Sequence, residues 1–138
     1  MGAITMNEKS VNSDSKLKLK LLLVDDDQIT ADVAKRFIAD KYELDWVSNG
    51  PEAITKVKEN NYAAFLIDIG LPGKLNGMET TKRLKEINDN SDKPYIAVTA
   101  HAMFGDKEHF LKNGLTHYLS KPFSRQKLLD LIDEALGN

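Results

Sequence analysis

The chain has 138 residues and no cysteine, and its 19 basic and 21 acidic side chains give a formal net charge of −2. This length predicts one domain with its own apolar core, and the 41% hydrophobic content is ordinary for a globular protein. The missing cysteines exclude a disulfide scaffold, a thiol nucleophile and a cysteine-ligated metal. The charge balance does not favour nucleic-acid binding, and no apolar run reaches the ~20 residues of a membrane helix.

Residues 1–16 form a polar segment with clustered serine and asparagine and no apolar periodicity. We expect this segment to be a flexible tail or linker, and residues 17–138 to be the folded domain. The segment lacks the apolar stretch of a signal peptide, so the sequence predicts a cytoplasmic location.

Three apolar runs and two shorter strand candidates then alternate with segments of helical spacing. The predicted strands are residues 19–24, 43–47, 63–67, 95–98 and 117–119. The predicted helices are residues 28–39, a segment beginning near Pro51, residues 78–87, residues 104–113, and a final helix that Ser124 caps. This alternation predicts an α/β fold with a parallel sheet covered on both faces. Right-handed crossovers place the carboxyl ends of all strands at one edge, where such sheets bind ligands.

Polar side chains collect at that edge. The first predicted strand is followed by Asp25, Asp26 and Asp27, the third by Asp68, the fourth by Thr99, and the fifth leads to Lys121. Crowded carboxylates repel one another unless a cation joins them, and oxygen ligands suit Mg²⁺, Mn²⁺ or Ca²⁺ rather than zinc. An ammonium and a hydroxyl at the same place can hold phosphoryl oxygens. Because the chain has no cysteine, a carboxylate would be the nucleophile of a phosphoryl transfer.

Each of these signals is weak by itself. Acidic residues before a helix usually stabilise its N-terminus, an aspartate after a strand usually belongs to a turn, and an isolated lysine is usually solvated. Their joint occurrence at one edge of the sheet favours the functional interpretation.

Four segments resemble the receiver domains of two-component response regulators, in the order in which that family has them. They are residues 22–27 (LLVDDD), 66–72 (LIDIGLP), 97–103 (AVTAHAM) and 118–123 (YLSKPF). The resemblance covers residues 17 to about 136, and the third segment is most similar to receivers attached to hybrid histidine kinases. It implies a flavodoxin-like (βα)5 three-layer sandwich with a parallel five-stranded sheet of order 2-1-3-4-5.

The resemblance also implies a role for each site residue. Asp68 is the expected phosphoacceptor. Asp26 is expected to bind Mg²⁺ directly, Asp25 directly or through a water, and Gly70 through its backbone carbonyl, with Mn²⁺ or Ca²⁺ as substitutes. The third acid, Asp27, has no role in the family and is expected to begin the first helix.

The remaining implied roles concern the phosphoryl group. Thr99 and Lys121 are expected to bind its oxygens, and Tyr118 to change rotamer as Thr99 moves toward it. The peptide between Lys121 and Pro122 is expected to be cis. The loop of residues 73–76 has four residues where the family usually has three, which leaves the start of the third helix open.

The implied function is that of a phosphorelay module that catalyses its own phosphorylation and dephosphorylation. The phosphoryl donor would be a histidine kinase or a His-phosphotransfer domain, and the output would pass to another protein. The resemblance also leaves open a phosphorylation-linked homodimer through the fourth helix, fifth strand and fifth helix.

Two other interpretations stay open. Asp25 could be the nucleophile of a haloacid-dehalogenase-type phosphatase, although Ile29 stands where that motif has threonine or valine. The chain could also be an interaction module that works without phosphorylation. The three histidines are not spaced as a metal pair, and the glycine–lysine step at residues 73–74 lacks the pattern of a P-loop.

Overall fold

Five parallel strands form one sheet in the computed structural model, which describes residues 18–100 and 106–138. The strands are β1 (Leu19–Val24), β2 (Tyr42–Val47), β3 (Ala64–Asp68), β4 (Tyr95–Thr99) and β5 (His117–Ser120). Their order is β2-β1-β3-β4-β5, so the predicted fold class and strand order are confirmed. The predicted tail of residues 1–16 lies outside the described residues.

Helices connect successive strands and cover both faces of the sheet. Within the described residues they are α1 (Gln28–Ile38), α2 (Gly50–Glu59), α3 (Gly77–Lys85), α4 (Asp106–Lys112) and α5 (Arg125–Leu136). The predicted start of the fourth helix at Phe104 lies outside the described residues.

The sheet separates two apolar layers because successive side chains of a strand point to opposite faces. Leu21 and Leu23 of β1 belong to the layer under α1 and α5. Leu22 and Val24 belong to the layer under α2, α3 and α4. This arrangement is the predicted three-layer sandwich.

Short polar side chains begin the helices immediately after the strands. Asp27 accepts the Ile29 N–H at 3.0 Å and so caps α1, as predicted. Asn49, Asn76 and Ser124 accept backbone N–H groups in the same way at the starts of α2, α3 and α5. The peptide between Lys121 and Pro122 is cis, also as predicted.

The element boundaries differ from the predicted ones by one or two residues. The largest difference concerns α3, which begins at Gly77 and ends at Lys85 rather than running from 78 to 87. A 3₁₀-helix at Asn90–Asp92, which the sequence analysis did not predict, follows it. Asn88 has a φ of 53° and breaks the helical path, whereas the apolar side chain of Ile87 continues the helical spacing beyond the true end.

Candidate functional site

Three carboxylates meet at the carboxyl edge of the two central strands. Val24 pairs with Ile67 in the β1–β3 register, so Asp25 and Asp68, one residue further along each strand, are neighbours. Asp26 follows in the loop to α1. Each of the three acids has a ligand oxygen within 4.8 Å of those of the other two.

Asp25 and Asp68 are buried, and Asp26 is exposed. The Asp27 N–H donates to Asp25 Oδ1 at 2.9 Å, and the Gly70 N–H donates to Asp68 Oδ1 at 2.9 Å. The backbone therefore fixes one oxygen of each buried carboxylate.

Lys121 brings a positive charge to this cluster. Its Nζ lies 2.8 Å from Asp25 Oδ2, a contact that the sequence analysis did not predict. Burial opposes the charge of Lys121, but the hydrogen bond and charge of Asp25, together with the charge of Asp68, raise the pKa of the ammonium overall. Lys121 is therefore charged at neutral pH and balances one of the acids.

Among residues 18–100 and 106–138, Lys121 is the one cation that forms an ion pair with this cluster, so negative charge remains in excess there. Burial raises the pKa of Asp68 to about 6, with contributions from the charges of Asp25 and Asp26, and against the opposing effects of the Gly70 N–H and Lys121. Three carboxylates facing one ammonium form the kind of site in which a divalent cation relieves repulsion. Because all side-chain donors are oxygens, the cluster fits a hard ion such as Mg²⁺.

Thr99 and Tyr118 lie beside this cluster on the next two strands. Thr99 ends β4 and is 6% exposed, and the preceding residue of β4 pairs with Asp68. In the β4–β5 register Thr99 pairs with Ser120, so Tyr118 is its diagonal neighbour on the same face. The Tyr118 ring is half-buried and stacks on Phe110 of α4 with centroids 5.9 Å apart.

Neither of the two histidines that the structure describes lies at this edge. His117 begins β5 and so lies near the amino edge of the sheet, and His109 lies within α4. His101 is outside the described residues.

Two residues contact the backbone of the cluster although the sequence analysis did not assign them to it. The indole N–H of Trp46 donates to the Asp25 carbonyl at 2.6 Å. Gly77 lies so close to Asp68 that a Cβ built on it would be 2.6 Å from the Asp68 carbonyl oxygen. The glycine directly after the capping Asn76 was a usable signal for the Gly77 contact. Nothing in the residue spacing indicates the Trp46 contact.

Residues 21–133 match the family model described as the response regulator receiver domain. The chain belongs to this family. Receiver domains take phosphoryl groups from histidine kinases and act on downstream partners, so this is a domain of a signalling protein, and the predicted resemblance is confirmed.

Curated relatives and solved structures agree with this assignment. The chain is 35% identical over 119 residues to the polar-differentiation response regulator DivK of Brucella anthropi, which covers 86% of this chain and 96% of that protein. It is 30% identical to the receiver domain of a sensor histidine kinase from Pseudomonas aeruginosa PAO1, with a TM-score of 0.78 and coverage of 88% and 99%. That crystal structure has a magnesium ion coordinated in its active site cleft.

The chemotaxis protein CheY4 of Vibrio cholerae shares the fold, with a TM-score of 0.81 at 24% identity and coverage of 86% of this chain and 99% of that one. In the part of the chain that the structure describes, no helix is both long and apolar enough to cross a membrane.

Proposed function

We propose that this receiver domain accepts a phosphoryl group on Asp68 from a phosphohistidine, in a reaction that requires Mg²⁺. The observation that carries the proposal is the convergence of Asp25, Asp26 and Asp68 beside Lys121. The donor would be a histidine kinase or a His-phosphotransfer domain, the output a protein partner, and the location the cytoplasm.

The burial and the hydrogen-bond contacts of the two carboxylates favour Asp68 over Asp25 as the phosphoacceptor. Asp25 is completely buried, and its two oxygens already face the Asp27 N–H and the Lys121 ammonium. Asp68 ends a central strand and keeps 7% of its surface exposed. This difference supports the receiver mechanism over a phosphatase that uses Asp25 as nucleophile.

In the transfer, an Asp68 carboxylate oxygen attacks phosphorus while the phosphorus–nitrogen bond breaks and its electron pair returns to the imidazole. Lys121 and Thr99 would hold phosphoryl oxygens, and Lys121 would exchange its contact with Asp25 for one of them. Asp25, Asp26, Asp68 and the Gly70 carbonyl would hold Mg²⁺, which when bound neutralises charge between carboxylates and phosphoryl oxygens. Mn²⁺ or Ca²⁺ could occupy the same place.

Mapping the phosphorylated residue tests this proposal. The protein is treated with acetyl phosphate and Mg²⁺, the acyl phosphate is reduced with borohydride, and the modified aspartate is located by peptide mass spectrometry. We expect modification at Asp68. Modification at Asp25 would support the phosphatase, and Mg²⁺-independent partner binding without modification would support the interaction module.

Substitutions of residues that only support the metal ligands lower metal affinity by ~10–100-fold. Because Asp26→Asn removes a proposed direct ligand, we expect it to weaken Mg²⁺ binding by more than that. Isothermal titration calorimetry measures the affinity. Asp27→Asn is the matched control, because it alters the neighbouring exposed acid and keeps a good capping residue for α1. Equal affinities in the two variants would contradict the assignment of Asp26.

We further propose that phosphorylation draws Thr99 toward the new phosphoryl oxygens and lets Tyr118 leave Phe110 and turn toward the vacated space. Contacts of a phosphoryl group with Thr99 and Lys121 can bias such a two-state element by the few kcal/mol that it needs. The altered surface would comprise α4, β5 and α5, which could serve a downstream partner or a second copy of the chain.

Hydrogen exchange with and without beryllofluoride should therefore show changed protection in β5 and α5. Thr99→Ala should remove these distant changes and leave Mg²⁺ binding intact, while Thr55→Ala on the exposed face of α2 should leave them in place. Changes confined to the loops around Asp26 and Asp68 would contradict the coupling between Thr99 and Tyr118.

A further inference from the structure

Trp46 is the only tryptophan of the chain, and its indole contacts the acid pair through the backbone. The indole N–H donates to the Asp25 carbonyl oxygen at 2.6 Å. That oxygen belongs to the peptide unit that joins Asp25 to Asp26. Because a peptide unit is planar, a partner that fixes this oxygen also fixes the orientation of the unit between the two acids.

A second hydrogen bond, from the Asp25 N–H to β2, holds the other side of the Asp25 backbone. The Asp25 N–H donates to the Val47 carbonyl at 3.1 Å, which continues the parallel β1–β2 ladder. The next ladder bond would bring the Asn49 N–H to the Asp25 carbonyl. The β1–β2 pairing ends before this bond, and the Asp25 carbonyl accepts instead from the indole N–H of Trp46.

The position of the indole is itself fixed by packing. Trp46 lies on the same face of β2 as Tyr42 and Leu44, and it packs against the apolar layer under α1 and α5. An indole nitrogen only donates hydrogen bonds, so in this contact the indole is always the donor and the carbonyl always the acceptor. Phenylalanine would preserve most of the packing and remove the donor.

We infer that Trp46 is a positioning residue for Mg²⁺ binding, which orients the peptide unit between Asp25 and Asp26 through its hydrogen bond to the Asp25 carbonyl. The inference rests on the proposed Mg²⁺ site and adds to it a residue that no carboxylate pattern indicates. It also predicts that the indole senses the metal, because the bond connects the ring to the peptide that Mg²⁺ binding constrains.

The test compares two variants of the full chain, Trp46→Phe and Tyr42→Phe. Tyr42→Phe is the matched control, because it removes a donor from an aromatic side chain on the same face of the same strand. Its hydroxyl contacts Asp133 about 13 Å along the strand from Trp46. Calorimetric Mg²⁺ titration of both variants and the wild type gives the affinities, and urea unfolding in EDTA gives the stabilities.

We expect Trp46→Phe to bind Mg²⁺ about 3- to 10-fold more weakly than Tyr42→Phe, which should match the wild type. A difference below about twofold overturns the inference, whatever the two stabilities are. Wild-type protein that binds no Mg²⁺ overturns the metal site and this inference together, so the two failures are distinguishable.

A measurement on the wild type covers the case in which Trp46→Phe does not fold. The single indole N–H gives one resonance in an NMR spectrum of the ¹⁵N-labelled protein. We expect this resonance to exchange slowly with water and to shift as Mg²⁺ saturates the site. An indole N–H that exchanges as fast as an exposed one, or that does not respond to saturating Mg²⁺, overturns the inference.

Discussion

Replacing Asp68 by asparagine should abolish phosphorylation and, in metal-free buffer at neutral pH, make the protein more stable. Asparagine keeps the shape of the side chain but has no nucleophilic carboxylate, so no acyl phosphate can form. The same change removes a buried negative charge that lies within 4.8 Å of ligand oxygens of Asp25 and Asp26. Loss of function and gain of stability therefore have one physical cause.

The raised pKa of Asp68 gives the size and pH range of the stability effect. Its value is about 6 in the folded protein and 3.8 for an unperturbed group, and a shift of that size corresponds to at most roughly 3 kcal/mol at ~1.4 kcal/mol per unit, which solvent screening at the sheet edge reduces. The folded state binds the proton more tightly, so this contribution to stability is complete below about pH 4 and is lost as pH rises through about 6. At pH 7.5 the ionised carboxylate is a net cost, which Asp68→Asn removes.

Urea unfolding in EDTA measures this effect. We expect Asp68→Asn to raise the free energy of unfolding by about 1–3 kcal/mol at pH 7.5 and to show a smaller gain at pH 5. Asp27→Asn should show no such gain, because hydrogen bonds from Thr30 and Ile29 lower the pKa of Asp27. Phosphorylation of the Asp68→Asn variant would contradict the assignment of Asp68 as the phosphoacceptor. A loss of stability in this variant at pH 7.5 would contradict the conclusion that the ionised Asp68 destabilises the folded protein.

The acid cluster could be predicted from sequence because topology alone determines it. Apolar runs indicated the strands, and right-handed crossovers place their carboxyl ends at one edge. Asp25 and Asp68 lie at the carboxyl ends of neighbouring strands in register, so no side-chain detail was needed to bring them together. The same reasoning placed Thr99 beside them, since β4 pairs with β3.

The contacts of Lys121 and Trp46 could not be predicted in this way. Spacing fixes where a residue leaves a strand, but the partner of a long side chain depends on its rotamer and on the competing charges around it. Lys121 pairs with Asp25 at 2.8 Å, and the indole of Trp46 donates to the Asp25 carbonyl just beyond the end of the β1–β2 pairing. Both contacts follow from three-dimensional packing between elements that are far apart in the chain.

Gly77 shows how closely the same packing constrains the backbone near Asp68. A Cβ on Gly77 would lie 2.6 Å from the Asp68 carbonyl oxygen and 2.8 Å from the Ile69 Cα, and both of these are backbone atoms. No rotamer change can relieve such a contact, so α3 or the end of β3 would have to move. The residue is therefore restricted to glycine by the approach of two backbones and not by its own torsion angles.

Gly77→Ala should consequently destabilise the protein by about 3 kcal/mol, near the upper end of the cost of overpacking. This expected change in stability is opposite in sign to that at an unhindered helical position, where alanine is favoured over glycine by ~1 kcal/mol. Because the displaced atoms belong to Asp68 and Ile69, Mg²⁺ affinity should fall as well.

Gly70→Ala is the matched control for this substitution. Its Cβ would meet Asp68 Oδ1 at 3.5 Å, an ordinary contact, and the backbone carbonyl proposed to bind Mg²⁺ is retained. Urea unfolding and Mg²⁺ titration of both variants measure the two effects. If Gly77→Ala is as stable as Gly70→Ala and binds Mg²⁺ equally well, then α3 can shift without moving Asp68, and the start of α3 does not constrain the site.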